Sequence, residues 1–311
     1  MISSFHQLRD KFLNNKKKGL VTLVAIIITT VILSWLLFSQ WEVLIKHEWN
    51  LRPLYLLLGI FVYAMILFLT ILIWSKIVES LGQKIPYYQH FYSFCISALG
   101  KRLPGTLWYI AIRAQIYQGE FPAKIVTVAS GIEMGVIIIA GIIVCSLFSI
   151  PIILDYQWSI AGIFFLLLIA VIALHPRFIR WVLHKVKVEQ REIKYKQLVF
   201  WVSGYIIVWI FVGILLFTIS NFFAATPIRH LNYFIGSTAL TGVLSRLLLF
   251  SPSMFGFSEV SLSILLSTIM PSSLAVIVAV SNRIITIVFE ILWALIAYFA
   301  NKFFTKNILN P

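Results

Sequence analysis

Hydrophobic positions in this chain neither alternate nor fall into narrow stripes; they run on. Val21 to Phe38 and Met134 to Leu154 are nearly continuous apolar stretches. A helix needs ~20 such residues to cross the ~30 Å hydrocarbon core of a bilayer, so these runs predict membrane helices. The missing polar–apolar alternation excludes a transmembrane β-barrel. Six full spans are predicted, near 19–41, 53–75, 122–149, 159–175, 198–221 and 272–300. Two further segments, 87–118 and 231–270, are each broken in the middle. The expected fold is an all-α polytopic membrane protein with eight or more hydrophobic segments.

Composition agrees. Of 311 residues, 60% are hydrophobic and only 12% charged, about half the charge a soluble domain carries. The surface is therefore expected to face hydrocarbon. The first apolar run follows Lys16, Lys17 and Lys18 and outlasts a signal-peptide core with no small-x-small cleavage site, so a signal anchor is expected. Cys95 and Cys145 lie in apolar stretches and read as small buried hydrophobes, with no disulfide framework and no metal pair.

Lysine and arginine then set the orientation. With a cytoplasmic N-terminus, the cytoplasmic segments hold 17 basic residues and the outer loops three, Lys46, Arg52 and Arg229. Positive loops stay inside. Both termini are therefore expected in the cytoplasm of a cell bearing the protein in its plasma membrane. The basic N-terminus covers 1–18, the outer loop 150–158, the basic loop 176–197 and the C-terminal tail 301–311. The net charge of +14 has this origin. Arg177 to Lys196 would attract phosphate, but between two spans it reads as a positive-inside loop touching anionic lipid, so nucleic acid is not an expected partner.

The halves 19–149 and 159–300 resemble each other. In the first, Ser97-Ala98-Leu99 leads through Lys101-Arg102 to Pro104-Gly105, and Pro122 opens a span carrying Glu133. In the second, Thr238-Ala239-Leu240 leads through Arg246 to Pro252 and Gly256, and Pro271 opens the last span, carrying Arg283. Pro104 to Pro122 is 18 positions and Pro252 to Pro271 is 19. The charge-derived topology gives the two halves opposite sense. Inverted repeats with broken helices near the membrane midplane are a transporter signature. Re-entrant hairpins are the preferred reading of 87–118 and 231–270, because Pro and Gly stop a helix and bare its backbone. Half-helices are expected from Thr106 and from Ser258, with Ser258 as an N-cap. Their N-termini would favour an anion such as a lipid phosphate.

Ionisable groups at this depth are costly and mark functional sites. Glu133 and Arg283 fall ~16 and ~18 Å into their spans, and Glu290 shares a face with Arg283. Lys101, Arg102, Arg113, Arg246 and Glu259 belong to the broken segments. The candidate binding residues are Lys101, Arg102, Pro104, Gly105, Arg113, Arg246, Pro252, Gly256, Ser258 and Glu259, with Glu133, Arg283 and Glu290 as gating or coupling groups. The competing structural reading has Glu133 and Glu290 neutralise Arg283 and Arg246, Glu259 answer a helix dipole, and Lys101 and Arg102 snorkel to headgroups.

Lys101-Arg102-Leu103-Pro104-Gly105, Glu133 twenty-eight positions on, and Pro252 to Glu259 with Asn282-Arg283 resemble the lysylphosphatidylglycerol synthase transmembrane-region family, also described as flippase-like. The resemblance covers essentially the whole chain. Multidomain members add a soluble aminoacyltransferase domain, and their membrane part moves the aminoacylated lipid between leaflets. This chain stops at Pro311 after its last span, so the resemblance implies a stand-alone translocase-like unit. The second motif departs from the usual Pro-x-Gly-x-Gly-x-x-Glu form at Met254. Short relatives are also associated with envelope glycans and lipid-linked sugars.

No Gly-rich nucleotide loop, G-x-S-x-G elbow or H-E-x-x-H occurs. His90 and His175 fall near span ends, where an interfacial side chain is expected. The sequence therefore predicts no enzyme, no cofactor, no metal and no catalytic residue. It predicts a translocase for an anionic lipid or lipid-linked glycan, with a second copy or envelope-synthesis enzymes as further partners. The alternatives are a membrane glycosyltransferase acting on a polyprenyl-phosphate sugar with Glu133 or Glu259 as base, and a non-transporting scaffold.

Overall fold

A computed structural model describes residues 51–82, 84–102, 108–148, 193–247 and 254–309. The expected spans 19–41 and 159–175, the N-terminus 1–18, the outer loop 150–158, most of the basic loop, and Pro104, Gly105 and Pro252 lie outside these residues. Among the described residues there are eight α-helices and no strand. They are α1 (Pro53–Leu81), α2 (Tyr87–Leu99), α3 (Trp108–Ile116), α4 (Ala123–Phe148), α5 (Tyr195–Phe223), α6 (Leu231–Leu247), α7 (Met254–Leu266) and α8 (Ser272–Leu309). Four of them, α1, α4, α5 and α8, are long and apolar enough to cross a membrane, as a multi-pass membrane protein requires.

Prolines set several boundaries. Pro53 occupies the first turn of α1, where its missing N–H costs nothing. Pro122 and Pro271 stand one residue before α4 and α8, and their carbonyls accept from Ile125 and Ala275 N–H at 2.9 Å each. Two α-helices are described in each of the segments 87–118 and 231–270. The first resolves into α2, a 3-10 turn over Gly100–Arg102, and α3; the second into α6 and α7. Ser258 does not cap a helix: α7 begins four residues earlier at Met254. The side chain that reaches back to the backbone is Glu259, whose Oε2 accepts from Gly256 N–H at 3.0 Å. Gly256 has φ +94°, a conformation open to glycine at little cost.

The described residues fall into two compact units, one within 51–243 together with 281–309 and a smaller one within 244–280. In the larger unit α5 packs along both α1 and α4. Arg52 N–H donates to Phe222 O, Gly59 lies against Leu215 and Thr218, and Gly204 lies against Ile73. Partners that ascend on one helix descend on the other, so α1 and α5 are antiparallel. Between α4 and α5 the offset is constant: Tyr205 bonds Glu133 and Trp209 Nε1 bonds Ile137 O, both 72 positions apart. These two helices are parallel. Helices α2 and α3 pack face to face, with Ser97 against Arg113 and His90 against Tyr117, and so form an antiparallel pair lying against α1 and α4.

The polarity of this unit is inverted relative to a water-soluble bundle. Leu54, Leu57, Phe61, Phe68, Val199 and Ile207 stand exposed along α1 and α5, whereas Ser97, Arg113, Ser130, Glu133 and Ser220 are buried. Soluble monomers rarely expose contiguous apolar surface of this kind.

Candidate functional site

Helix α3 delivers Arg113 to the middle of the larger unit, where the side chain is fully buried. Its Nη1 donates to Glu133 Oε2 at 2.7 Å. Its Nε donates to Ser97 Oγ on α2 at 3.2 Å. Glu133, midway along α4 and buried, accepts on its other oxygen from the Tyr205 hydroxyl of α5 at 2.9 Å. The guanidinium carbon lies 4.0 Å from the Trp74 ring centroid of α1, 4.8 Å from Phe94 and 5.3 Å from Tyr109. Five helices thus meet at one ion pair.

The geometry fits the cost of burying charge. A lone guanidinium or carboxylate in an apolar interior is prohibitive, so each is neutralised and hydrogen-bonded. Stacking on Trp74 adds an attraction that strengthens when water is excluded. One donor is left over: Arg113 Nη2 is buried with no hydrogen-bond partner. A planar guanidinium presents its donors as a fork suited to carboxylate or phosphate, so the arrangement can present one more N–H to an acceptor without breaking the pair.

A second polar cluster adjoins the first. Trp74 Nε1 donates to Tyr117 Oη at 3.0 Å, and His90 Nδ1 lies 2.7 Å from the same oxygen. On its far side His90 Nε2 is 3.5 Å from Glu79 Oε1, beyond hydrogen-bond length. Glu79 is also paired with Lys76 at 3.1 Å, and Lys76 is half exposed. His90 is therefore not interfacial. The last turns of α1 and the turn after α3 cover it completely.

The other expected site residues are distributed as follows. Lys101 is exposed, with Nζ 5.4 Å from Phe94 and 5.6 Å from Tyr109. The same two rings thus face Lys101 and Arg113. Arg102 ends the 3-10 turn. Arg283 and Glu290 are half-buried on α8. Arg246 ends α6 and is half-buried, as is Ser258, while Gly256 and Glu259 are buried in the smaller unit. The acid expected to face Arg283 or Arg246, Glu133, meets Arg113 instead.

Sequence reasoning missed Tyr205, Trp74, Phe94, Tyr109 and Tyr117. Aromatic residues are common in membrane helices, and nothing in their local sequence separates a ring that covers a cation from one that faces lipid. Among the described residues no group of three or more His, Cys, Asp or Glu could hold a metal ion. Comparison with family models, curated proteins and solved structures returns no match to this chain.

Proposed function

We propose that this chain is a plasma-membrane protein of the lysylphosphatidylglycerol synthase transmembrane-region type, moving an anionic lipid or lipid-linked headgroup between leaflets. The observation that carries the reading is the buried Arg113–Glu133–Tyr205 constellation, with Arg113 Nη2 unpaired, inside a bundle whose exterior is apolar. Ionisable groups inside a membrane bundle mark pathways for polar cargo. Lengths support re-entry: α2 and α3 have 13 and 9 residues, short of the ~20 that a full crossing needs. The parallel sense of α4 and α5 fits a topology with one further crossing between them. Termini in the cytoplasm follow from the charge bias.

In this mechanism Lys101 and Arg102, at the tip of the α2–α3 hairpin, attract the phosphate near the membrane midplane, and Arg113 offers its spare N–H beside them. Acyl chains stay in the bilayer while the hairpin and its counterpart over 231–270 rock against the long helices. Glycosyl transfer by Glu133 is disfavoured, since its carboxylate is buried and held by Arg113 and Tyr205, whereas a general base must come within hydrogen-bond reach of a substrate proton.

Native mass spectrometry of the gently purified protein tests the reading, comparing wild type with Arg102→Ala and Arg113→Gln. The expected result is an anionic lipid or lipid-linked sugar retained by wild type and lost from both variants. Identical bulk lipids on all three proteins would sink the proposal and favour a scaffold.

A further inference from the structure

Among the described residues, five buried side-chain atoms lack a hydrogen-bond partner, and four of them lie on the α2–α3 pair. They are Gln89 Oε1, His90 Nε2, Ser93 Oγ and Arg113 Nη2. Ser93 Oγ stands beside the Tyr117 hydroxyl without a bond of good geometry. Residues 90, 93 and 97 recur at helical spacing, with Gln89 adjoining, so they share one face of α2. The bonds from Ser97 to Arg113 and from His90 to Tyr117 turn that face toward α3. The residues that carry the unpaired atoms therefore lie along a single seam, ~12 Å long by the rise of a helix between 89 and 97.

Native interiors pair nearly all buried polar atoms, and each orphan costs ~1–3 kcal/mol. Random scatter would not put four of five on two short helices. Chemistry also limits what could satisfy them. Gln89 Oε1 needs a donor, Arg113 Nη2 an acceptor, and Ser93 either. His90 Nε2 carries the proton if the Tyr117 hydroxyl, which accepts from Trp74, donates to Nδ1. One small molecule that both donates and accepts meets all four demands. Buried water typically makes about three such bonds.

We propose that the α2–α3 interface binds a file of water molecules running from the Glu79 carboxylate, past His90 and Ser93, to Arg113 Nη2. Glu79 and the half-buried Gln89 form its mouth, and the 3.5 Å gap between Glu79 and His90 is a distance at which a polar contact is commonly bridged by water. The consequence is that His90 and Arg113 exchange with bulk solvent although neither has exposed surface. The inference does not rest on the lipid reading, since it uses only burial and bonding within the hairpin.

Radiolytic hydroxyl-radical footprinting of the full chain in lipid nanodiscs tests it. Radicals arise from water at the point of irradiation, so bound water labels its neighbours. Tyr117 and Trp201 are each 1% exposed, and only Tyr117 adjoins the seam. The expected result is oxidation of Tyr117 and His90 about tenfold faster than Trp201, as a residue lined by ordered water requires. Rates at or below that of Trp201 overturn the proposal. Because this comparison uses the wild-type protein, it needs no variant to fold. In a second arm, Gln89→Leu with Ser93→Ala removes two of the seam's anchoring atoms. Tyr117 labelling is expected to fall about threefold while Trp201 labelling stays constant. Unchanged Tyr117 labelling in that folded variant would equally overturn it.

Discussion

At the scale of single residues, the Arg113–Glu133 pair makes a sharp energetic claim. Removing one partner strands the other charge in an apolar interior, which costs about 3–5 kcal/mol, whereas replacing both with apolar groups of similar volume is often nearly neutral. Glu133→Leu alone is therefore expected to lower the thermal midpoint in detergent markedly, and Arg113→Met with Glu133→Leu to recover most of the loss. A double variant no more stable than the single would mean the pair does not hold these helices as described. The burial of Glu133 was legible from its place in an apolar run, because a charge is conspicuous there. Its partner was not, since the broken segments and the last span offered five cations and pairing depends on which helices touch. His90 was misjudged for the same reason: a position near a span end looks interfacial until a neighbouring helix covers it.

At the scale of helices, contact distance is set by glycine at particular places. A Cβ on Gly213 of α5 would stand 2.5 Å from the Ile235 backbone Cα, and backbone cannot swing aside as a side chain can. Gly213→Ala is thus expected to cost about 1–3 kcal/mol through overpacking. Gly131 on α4 has nothing within 4 Å of its would-be Cβ, so Gly131→Ala should be neutral or stabilise by about 0.5–1 kcal/mol. Guanidinium or urea midpoints of the two variants, measured side by side in one detergent, decide the matter; equal shifts would contradict this packing. Among the described residues, the four long helices and the starts of α4 and α8 were readable from the sequence, because apolar length and the positions of Pro122 and Pro271 act locally. The end of each helix was less so. Helix α1 runs to Leu81 and α5 starts at Tyr195, beyond the apolar runs that announced them, since polar residues at a membrane surface continue a helix without penalty.

At the scale of the whole chain, the apolar exterior predicts how charge will be tolerated. Ile207 is exposed and lies mid-way along α5, and Tyr195 is exposed at its start. An arginine at the centre of a span costs about 2.5–3.5 kcal/mol on insertion, while one at the end reaches the interface. In a glycosylation-mapping assay, Ile207→Arg should cut insertion of this segment sharply and Tyr195→Arg should leave it nearly intact. Equal insertion of both would argue that this face does not meet lipid. The inverted repeat was inferred from matched spacings, which register proline and glycine but carry no information about packing partners; the constellation around Arg113 draws on helices from both halves of the sequence and had no such signature. The constant offset between α4 and α5 has a mechanical consequence. One cross-link between two rods leaves a pivot, but two at the same stagger stop both sliding and swivelling. Fastened through Glu133 and through Ile137, the pair behaves as a beam. Any working stroke must then be taken up by the parts hung on it, and the shortest lever attached to that beam is the arm that carries Arg113.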